Sequence, residues 1–361
     1  MMLVHICCSV DSHYFIQELQ KTYPSEKIIG FFYDPNIHPY SEYELRFLDV
    51  KRSCEKLGIK LYKGEYEYEK WLSAVKGYED EPEKGARCEI CFDFRMGGSV
   101  EFAKKMGEKK LTTTLLTSPK KDLKQLKNAL QKECEPYGIE FLAPDFRKNG
   151  GTQRQFTLAK EAMLYHQNYC GCLYALSKQK QNKPFIDELT SPLNRQILPA
   201  SIEDKIRLYK KVQALEKKGI KFSLEREKFL NYRLLNGLLK RDKRVIKSHI
   251  LFYSHFKNVL SKFRINEDLR GEFKSVKDEL CFWDFECFNA KCGGKFKNYE
   301  DFLKRPLSVA KEISLRQKIF GAYHLSPIII VESLSSGTYE LMAKSEIYFD
   351  VREKIVKERI K

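Results

Sequence analysis

The sequence predicts an α/β protein, a parallel sheet wrapped by helices, followed by a smaller basic region of α+β type. Three observations carry this. Short β-branched or apolar runs alternate with helical periodicities through the first ~180 residues, as parallel βαβ units require. A polar, proline-containing stretch then interrupts the pattern at about 178–200. Beyond it the balance of charge changes, with 22 basic against 13 acidic side chains over residues 185–280.

Leu3-Val4-His5-Ile6 reads as the first strand, and Ser12 to Thr22 as a helix with Phe15, Ile16 and Leu19 inward. Ile28 to Tyr33 is the second strand. Ser41-Glu42-Tyr43-Glu44 has the layout of a capping box, which predicts a helix reaching Leu57. Cys54 falls on that helix at core spacing with Phe47 and Val50. Ile59 to Tyr62 makes a third strand, a helix follows Cys91, and the β-branched run from Lys110 to Leu116 makes a fourth. Thr113 and Thr114 serve that strand. A helix at Asp122 to Cys134, a strand at Ile139 to Leu142 and a helix over 155–166 bring the chain to Cys170. Pro184, Pro192 and Pro199 mark a linker, dividing the chain into a metal-binding catalytic domain at 1–182 and a basic domain at 200–361, for which holding an RNA body, covering an exposed face and making a dimer are the alternatives. In the second, Ile202, Ile206, Tyr209 and Val212 share a helical face, and strands are expected at Pro327 to Val331 and Ile347 to Phe349.

The chain has 361 residues, 42% hydrophobic and 32% charged, which describes a soluble globular protein. No apolar run approaches the ~20 residues that span a bilayer. The opening MMLVHICC lacks a basic leader and reads as a buried strand rather than a signal peptide. A cytoplasmic protein without membrane partners is expected. A formal charge of +16 suits a polyanion such as RNA, although a solvated basic surface has the same composition.

Eleven cysteines in a reducing compartment are expected to be thiols. Six form tight pairs: Cys7-Cys8, Cys88-x-x-Cys91 and Cys170-x-Cys172. The first lies where a strand meets a helix, with Asp11 a turn further on, and carboxyl ends of strands are where open α/β sheets bind ligands. The second opens a helix, whose N-terminus favours thiolates. In the third, Gly171 lets two sulfurs reach one centre. Each pair alone can be buried packing or half of a zinc site. Together, six thiolates and a carboxylate exceed the four ligands of a structural zinc or a four-iron cluster. The surplus allows a second metal with an open position for substrate, so Asp11 is both a candidate ligand and a candidate catalytic group. Cys281, Cys287 and Cys292 contain no tight pair and read as packing.

The segments HICCSVDS, YDPNIHPYSEYELR, RCEICFDFRM, TTTLLTSPKK, DFRKNGG and YHQNYCGCLYA, in this order, closely resemble the QueH family over about residues 2–180. The resemblance implies a Rossmann-like fold related to the adenine nucleotide alpha hydrolases, a 4Fe-4S cluster, and reduction of the epoxide of epoxyqueuosine in tRNA to queuosine. The candidate metal ligands counted above are Cys7, Cys8, Asp11, Cys88, Cys91, Cys170 and Cys172, and their surplus is the place for a mononuclear iron or other divalent metal beside the cluster. Many members carry a further cysteine where this chain has Asp11. HICCSVDS is laid out like the glycine-containing phosphate loop of ATP-dependent tRNA-modifying enzymes, but Cys7 and Cys8 replace the glycines, so it reads as a phosphate site converted to a metal site.

Tyr33, Asn36, His38 and Tyr43 follow a strand end and are candidates for holding the nucleoside, with turn formation or aromatic packing as the alternative. Arg147 and Lys148 before Gly150-Gly151 suit a phosphate, or are ordinary surface charge. His166 reads as structural, and Tyr169 is a candidate acid only by its place beside Cys170. Partners are tRNA carrying epoxyqueuosine and an unidentified electron donor. Two rivals remain: a zinc-stabilised RNA-binding protein, and an iron–sulfur tRNA sulfurtransferase, which needs the phosphate loop that is absent here.

Overall fold

A computed structural model describes residues 1–119, 121–180, 185–190, 196–275, 279–321 and 324–357. The chain divides into two compact units. The first takes residues 1–190, 201–225 and 353–361, and the second 191–200 and 226–352.

In the first unit, β1 (Met2–Ile6) runs into α1 (Ser9–Thr22), then β2 (Ile28–Phe32), α2 (Tyr40–Lys56) and β3 (Lys60–Lys63). After α3 (Tyr68–Ala74) come α4 (Ala86–Met106), β4 (Lys110–Thr113), α5 (Leu123–Cys134) and β5 (Glu140–Phe141). Helices α6 (Gly151–Glu161), α7 (Leu173–Gln179) and α8 (Ile202–Lys217) complete it. The five strands form a parallel sheet in the order β3-β2-β1-β4-β5. The fold is α/β with a parallel sheet, as expected. Every residue of β1 and β2 is buried, which is why both read as largely apolar runs, His5 being the one polar side chain. The strand order reverses between β1 and β4, which run parallel, so the segments leaving those two strands part there and open a crevice.

Local expectations shift in two places. Helix α2 begins at Tyr40 with Pro39 before it and no side-chain cap, and Glu44 pairs with Lys63 at 2.6 Å. The capping box therefore does not form. Helix α6 ends at Glu161, and an irregular loop rather than a helix leads to Cys170. The boundary between units differs as well. Residues 201–225, expected in the second domain, pack with the first: Arg52 of α2 donates to Glu216 of α8 at 2.7 Å.

The second unit contains β6 (Phe222–Arg241, entering from the first unit), β7 (Arg244–Val245), β8 (Ser248–Ile250), β9 (Leu260–Ile265), β10 (Glu272–Ser275) and β11 (Leu280–Asp284). Then come α9 (Phe285–Lys291), α10 (Tyr299–Lys304), α11 (Val309–Phe320), β12 (Ile328–Val331) and β13 (Gly337–Lys357, whose last residues belong to the first unit). Its strands form two four-stranded sheets, β7-β6-β13-β9 and β10-β11-β12-β8. Leu239, Ile265, Phe282, Val331, Tyr339 and Leu341 belong to one core shared by both sheets. Trp283, Ile328 and Ile330 face a second core with Phe288 and Phe302. The unit is α+β with more strand than helix. No helix among the described residues is long and apolar enough to cross a membrane.

Candidate active site and metal centre

Cys7 and Cys8 occupy the turn between β1 and α1, with Cys8 at the helix N-cap and Asp11 in its first turn. Cys7 Sγ lies 3.7 Å from Cys8 Sγ, 3.7 Å from Asp11 Oδ2 and 3.7 Å from Thr114 Oγ1. One ligand atom from each of Cys7, Cys8 and Asp11 falls within 4.8 Å of the others, and all three residues are buried. Thr114 leaves the end of β4 and accepts from the Cys7 amide at 3.4 Å. The group thus sits at the reversal point of the sheet. Burial raises the Asp11 carboxyl above the usual carboxylate range, against hydrogen bonds from Cys8 and Cys7. The Cys7 hydrogen bond and burial raise the Cys8 thiol well above its ordinary value. Two thiols and a carboxyl held this close are a donor set for a cation, whose binding displaces any protons they carry.

The other four cysteines line one cavity. Cys88 and Cys91 come from the first two turns of α4, and Cys170 and Cys172 from the loop entering α7. Gly171 has φ +107, and a Cβ there would lie 2.8 Å from Ile37 Cγ1, so glycine is required between the two sulfurs. The loop is pinned by Arg46, which donates to the carbonyls of Cys170 (3.2 Å) and Tyr169 (3.0 Å) and pairs with Glu42 at 2.7 Å. Burial pushes Cys91 up to about 11 and Cys172 up to about 12. Cys170 is also buried, but Lys121, the Cys172 amide and Arg46 outweigh that and lower its thiol.

A neighbouring cavity is lined by Cys7, Asp11, Phe156, His166, Gln167 and Tyr169. Arg95, Lys121 and Cys170 line both cavities. The seven predicted ligands therefore fall into a set of four thiols and a set of two thiols with a carboxylate, with two cationic side chains along their common wall. Arg95 is buried and paired with Asp34.

The nucleoside and phosphate candidates separate. Asn36 lines the four-thiol cavity, and its Oδ1 is buried with no hydrogen-bond partner among the described residues. Tyr33 and Tyr43 line neither cavity. Tyr33 donates to Glu67 at 2.6 Å, and Tyr43 is buried and donates to the Gly64 carbonyl at 3.1 Å. Both read as packing in this structure, because their hydroxyls are directed to other parts of the fold. His38 stacks on Tyr68 with ring centroids 5.1 Å apart. Its carbonyl accepts from Tyr169 at 2.6 Å, so the Tyr169 hydroxyl is engaged there. Arg147 donates to the carbonyls of Ser118 and Lys121 at 3.3 Å each and so supports the segment carrying Lys121, while Lys148 is exposed.

Sequence reasoning missed four residues. Gln155 donates to Asp11 Oδ1 at 2.6 Å and orients it. Gln167 Oε1 is buried, with no hydrogen-bond partner among the described residues. Arg95 and Lys121 are the other two. Lys121 follows Pro119 by two positions in TTTLLTSPKK, but nothing in its spacing marks a cation that faces thiols. In the second unit, Cys281 and its neighbours Cys287 and Cys292 pack against the apolar core, as expected.

The family model described as epoxyqueuosine reductase QueH matches residues 2–178. The chain is 42% identical to the epoxyqueuosine reductase QueH of Helicobacter pylori over 364 residues, 95% of this chain and 97% of that protein. It is 37% identical to the protein of the same description from Thermotoga maritima over 183 residues, 50% of this chain and 92% of that one. The second relative thus corresponds to about half of this chain. Among solved structures, the U34-tRNA thiolase NcsA from Methanococcus maripaludis with its 4Fe-4S cluster aligns at 13% identity and a TM-score of 0.31. It covers 59% of this chain and 73% of that one, and the likeness is too weak to bear on fold or function.

Proposed function

The chain belongs to the epoxyqueuosine reductase QueH family, and we propose that its two neighbouring cysteine sets carry that reduction on epoxyqueuosine within tRNA. It is an oxidoreductase, an epoxyqueuosine reductase. The observation that supports the assignment of roles is the division of the ligands. Four thiols around one cavity fit the donor set of a 4Fe-4S cluster. Two thiols and a carboxylate fit a divalent ion that keeps an open position, with iron the natural occupant beside a cluster.

The reaction removes the epoxide oxygen as water and leaves an alkene, consuming two electrons and two protons. When bound, the cluster supplies reducing equivalents and the second metal supplies a Lewis acid. The chain's own residues do the rest. Gln155 holds Asp11 in one orientation, as residues behind metal ligands do. Arg95 and Lys121 offset negative charge gathered on the thiolates between the two sets. Buried and uncommitted, Asn36 Oδ1 and Gln167 Oε1 are acceptors for hydroxyl or amine groups of the nucleoside, since an unpaired buried acceptor gains most from a donor. Phe156, with His166 stacked on it at 5.5 Å, gives the second cavity an aromatic wall against which a ring can lie.

The test is conversion. Anaerobically reconstituted protein with a dithionite-driven reductant is incubated with tRNA containing epoxyqueuosine, and the digested nucleosides are analysed by mass. Loss of one oxygen from the modified nucleoside is expected. An unchanged nucleoside, from protein that holds its full iron and sulfide, would overturn the assignment.

A further inference from the structure

The second unit carries 25 Lys+Arg against 16 Asp+Glu, a net +9 of the chain's +16, on fewer than half of its residues. That charge is concentrated. Lys240-Arg241-Asp242-Lys243-Arg244-Val245-Ile246-Lys247 holds five basic residues and one acid at the tip of the β6–β7 hairpin. Asp242 and Lys243 take φ values of 47 and 66. A two-residue hairpin turn of that hand favours Asn-Gly, because side chains resist positive φ. Asp242 has a structural reason to be there: its amide donates to the Thr338 carbonyl at 2.8 Å, and its Oδ1 accepts from the Thr338 amide at 2.9 Å. Lys243 makes no hydrogen bond or ion pair among the described residues, yet it occupies the position best suited to glycine, with its side chain exposed.

The strand register continues the charge across the sheet. Tyr339 pairs with Phe263 and Leu341 with Ser261 on the inner face, toward the core shared with the other sheet. Alternation therefore turns Lys262, opposite Glu340, and Arg264, opposite Thr338, to the outer face. Lys344 lies outward between buried Ala343 and Ser345, and Lys240 lies outward beside buried Leu239. Glu340 is the one acid in these registered segments, and Lys262 pairs with it at 2.7 Å. Lys240, Lys243, Arg244, Arg264 and Lys344 have no ion pair among the described residues. Lys240 and Lys243 share with Lys262 the field of the single carboxylate Glu340, so the cations on this hairpin and the face beside it outnumber the acid they face and repel one another unless a polyanion covers them.

We infer that this hairpin and outer sheet face dock the phosphate backbone of the tRNA whose modified base the first unit reduces. The inference rests on the reductase reading for the identity of the polyanion. It gives the second unit a purpose: sequence-independent grip on RNA, supplied by lysine and arginine against phosphate. An acidic protein or an anionic lipid surface would require the same cations, and the experiment separates them.

Full-length tRNA is titrated onto the full, iron-loaded chain by filter binding at several salt concentrations. The wild type is compared with Lys243→Gly/Arg244→Ala and with Lys240→Ala/Arg264→Ala. Lys243→Gly relaxes the turn, so the first variant is expected to fold at least as well as the wild type. Thermal midpoint and iron content verify this. The Kd for tRNA should rise at least about tenfold at low salt in each variant, with KM rising alongside. The slope of log Kd against log salt should fall by about one for each phosphate that the variant no longer neutralises. A Kd and slope within about twofold of the wild type in folded variants would overturn the inference. So would variants that keep tRNA affinity but lose binding to anionic vesicles or polyglutamate. If wild-type protein leaves epoxyqueuosine intact while the variants lose tRNA binding, the docking surface stands and the reductase assignment falls.

Discussion

The two units hold the same reactive side chain in opposite surroundings. In the first, cysteines meet cations: Lys121 and Arg46 act on Cys170 strongly enough to lower its thiol despite burial. In the second, Cys281 meets apolar side chains and the carboxylate of Glu272, and burial with that charge pushes it up to about 12. Cys54 and Cys134 in the first unit behave like Cys281, each raised by burial to about 12. Cys91 and Cys172 are raised by burial as well, to about 11 and about 12, so burial alone does not set the candidate ligands apart; what does is their grouping around one cavity with Lys121 and Arg95 on its wall.

That contrast can be broken at several points. The largest effect is expected from Cys91→Ser or Cys170→Ser, which remove one of the four thiols proposed to hold the cluster. Iron, sulfide and visible absorption should disappear, and reductase activity should fall by at least about 10³-fold, while Cys281→Ala keeps all of them. Next is Arg46→Met. It leaves Glu42 buried without its partner and frees the loop carrying Cys170, so denaturant unfolding should show a destabilisation of about 3–5 kcal/mol.

A pH effect follows from Asp34, which burial raises to about 6 against the opposing pull of Arg95. The folded state then holds this proton to higher pH than the unfolded chain, whose aspartates titrate near ~4. Its contribution to stability is therefore present at low pH and lost as pH rises from about 4 to about 6, by roughly 2–3 kcal/mol. Asp34→Asn should remove that slope, which chemical unfolding across the interval measures in both proteins. The smallest of these effects belongs to Gln155→Leu. The cluster should remain, but activity should fall about 10–100-fold because Asp11 loses its orienting bond.

Much of the first unit is legible in the sequence because its signals are local. Buried parallel strands leave largely apolar runs at β1 and β2, and tight cysteine spacing at strand–helix junctions marks candidate ligands before any fold is known. The division of those ligands into two sets is not legible, since it depends on how α4, α7 and the β1–α1 turn converge. Likewise Tyr33 and Tyr43 share a segment with Asn36, yet only Asn36 faces the thiols, because the direction of a side chain after a strand end is set by tertiary packing. Gln155 lies 144 positions from Asp11, beyond any spacing rule. Helix α8 belongs with the first unit although it follows the linker, because its amphipathic face shows that it packs without showing against what. In the second unit, strands divided between two sheets leave a weak period, so its class emerges but not its layers.

The most direct test of the central claim, that four thiols hold a cluster beside a second iron on Cys7, Cys8 and Asp11, is the iron and sulfide content of anaerobically purified protein. Wild type and Asp11→Asn are measured together. The wild type should contain about five irons to four sulfides per chain, and the variant about four to four. Equal iron and sulfide in both would remove the second metal, and zinc without sulfide in the wild type would contradict the account as a whole.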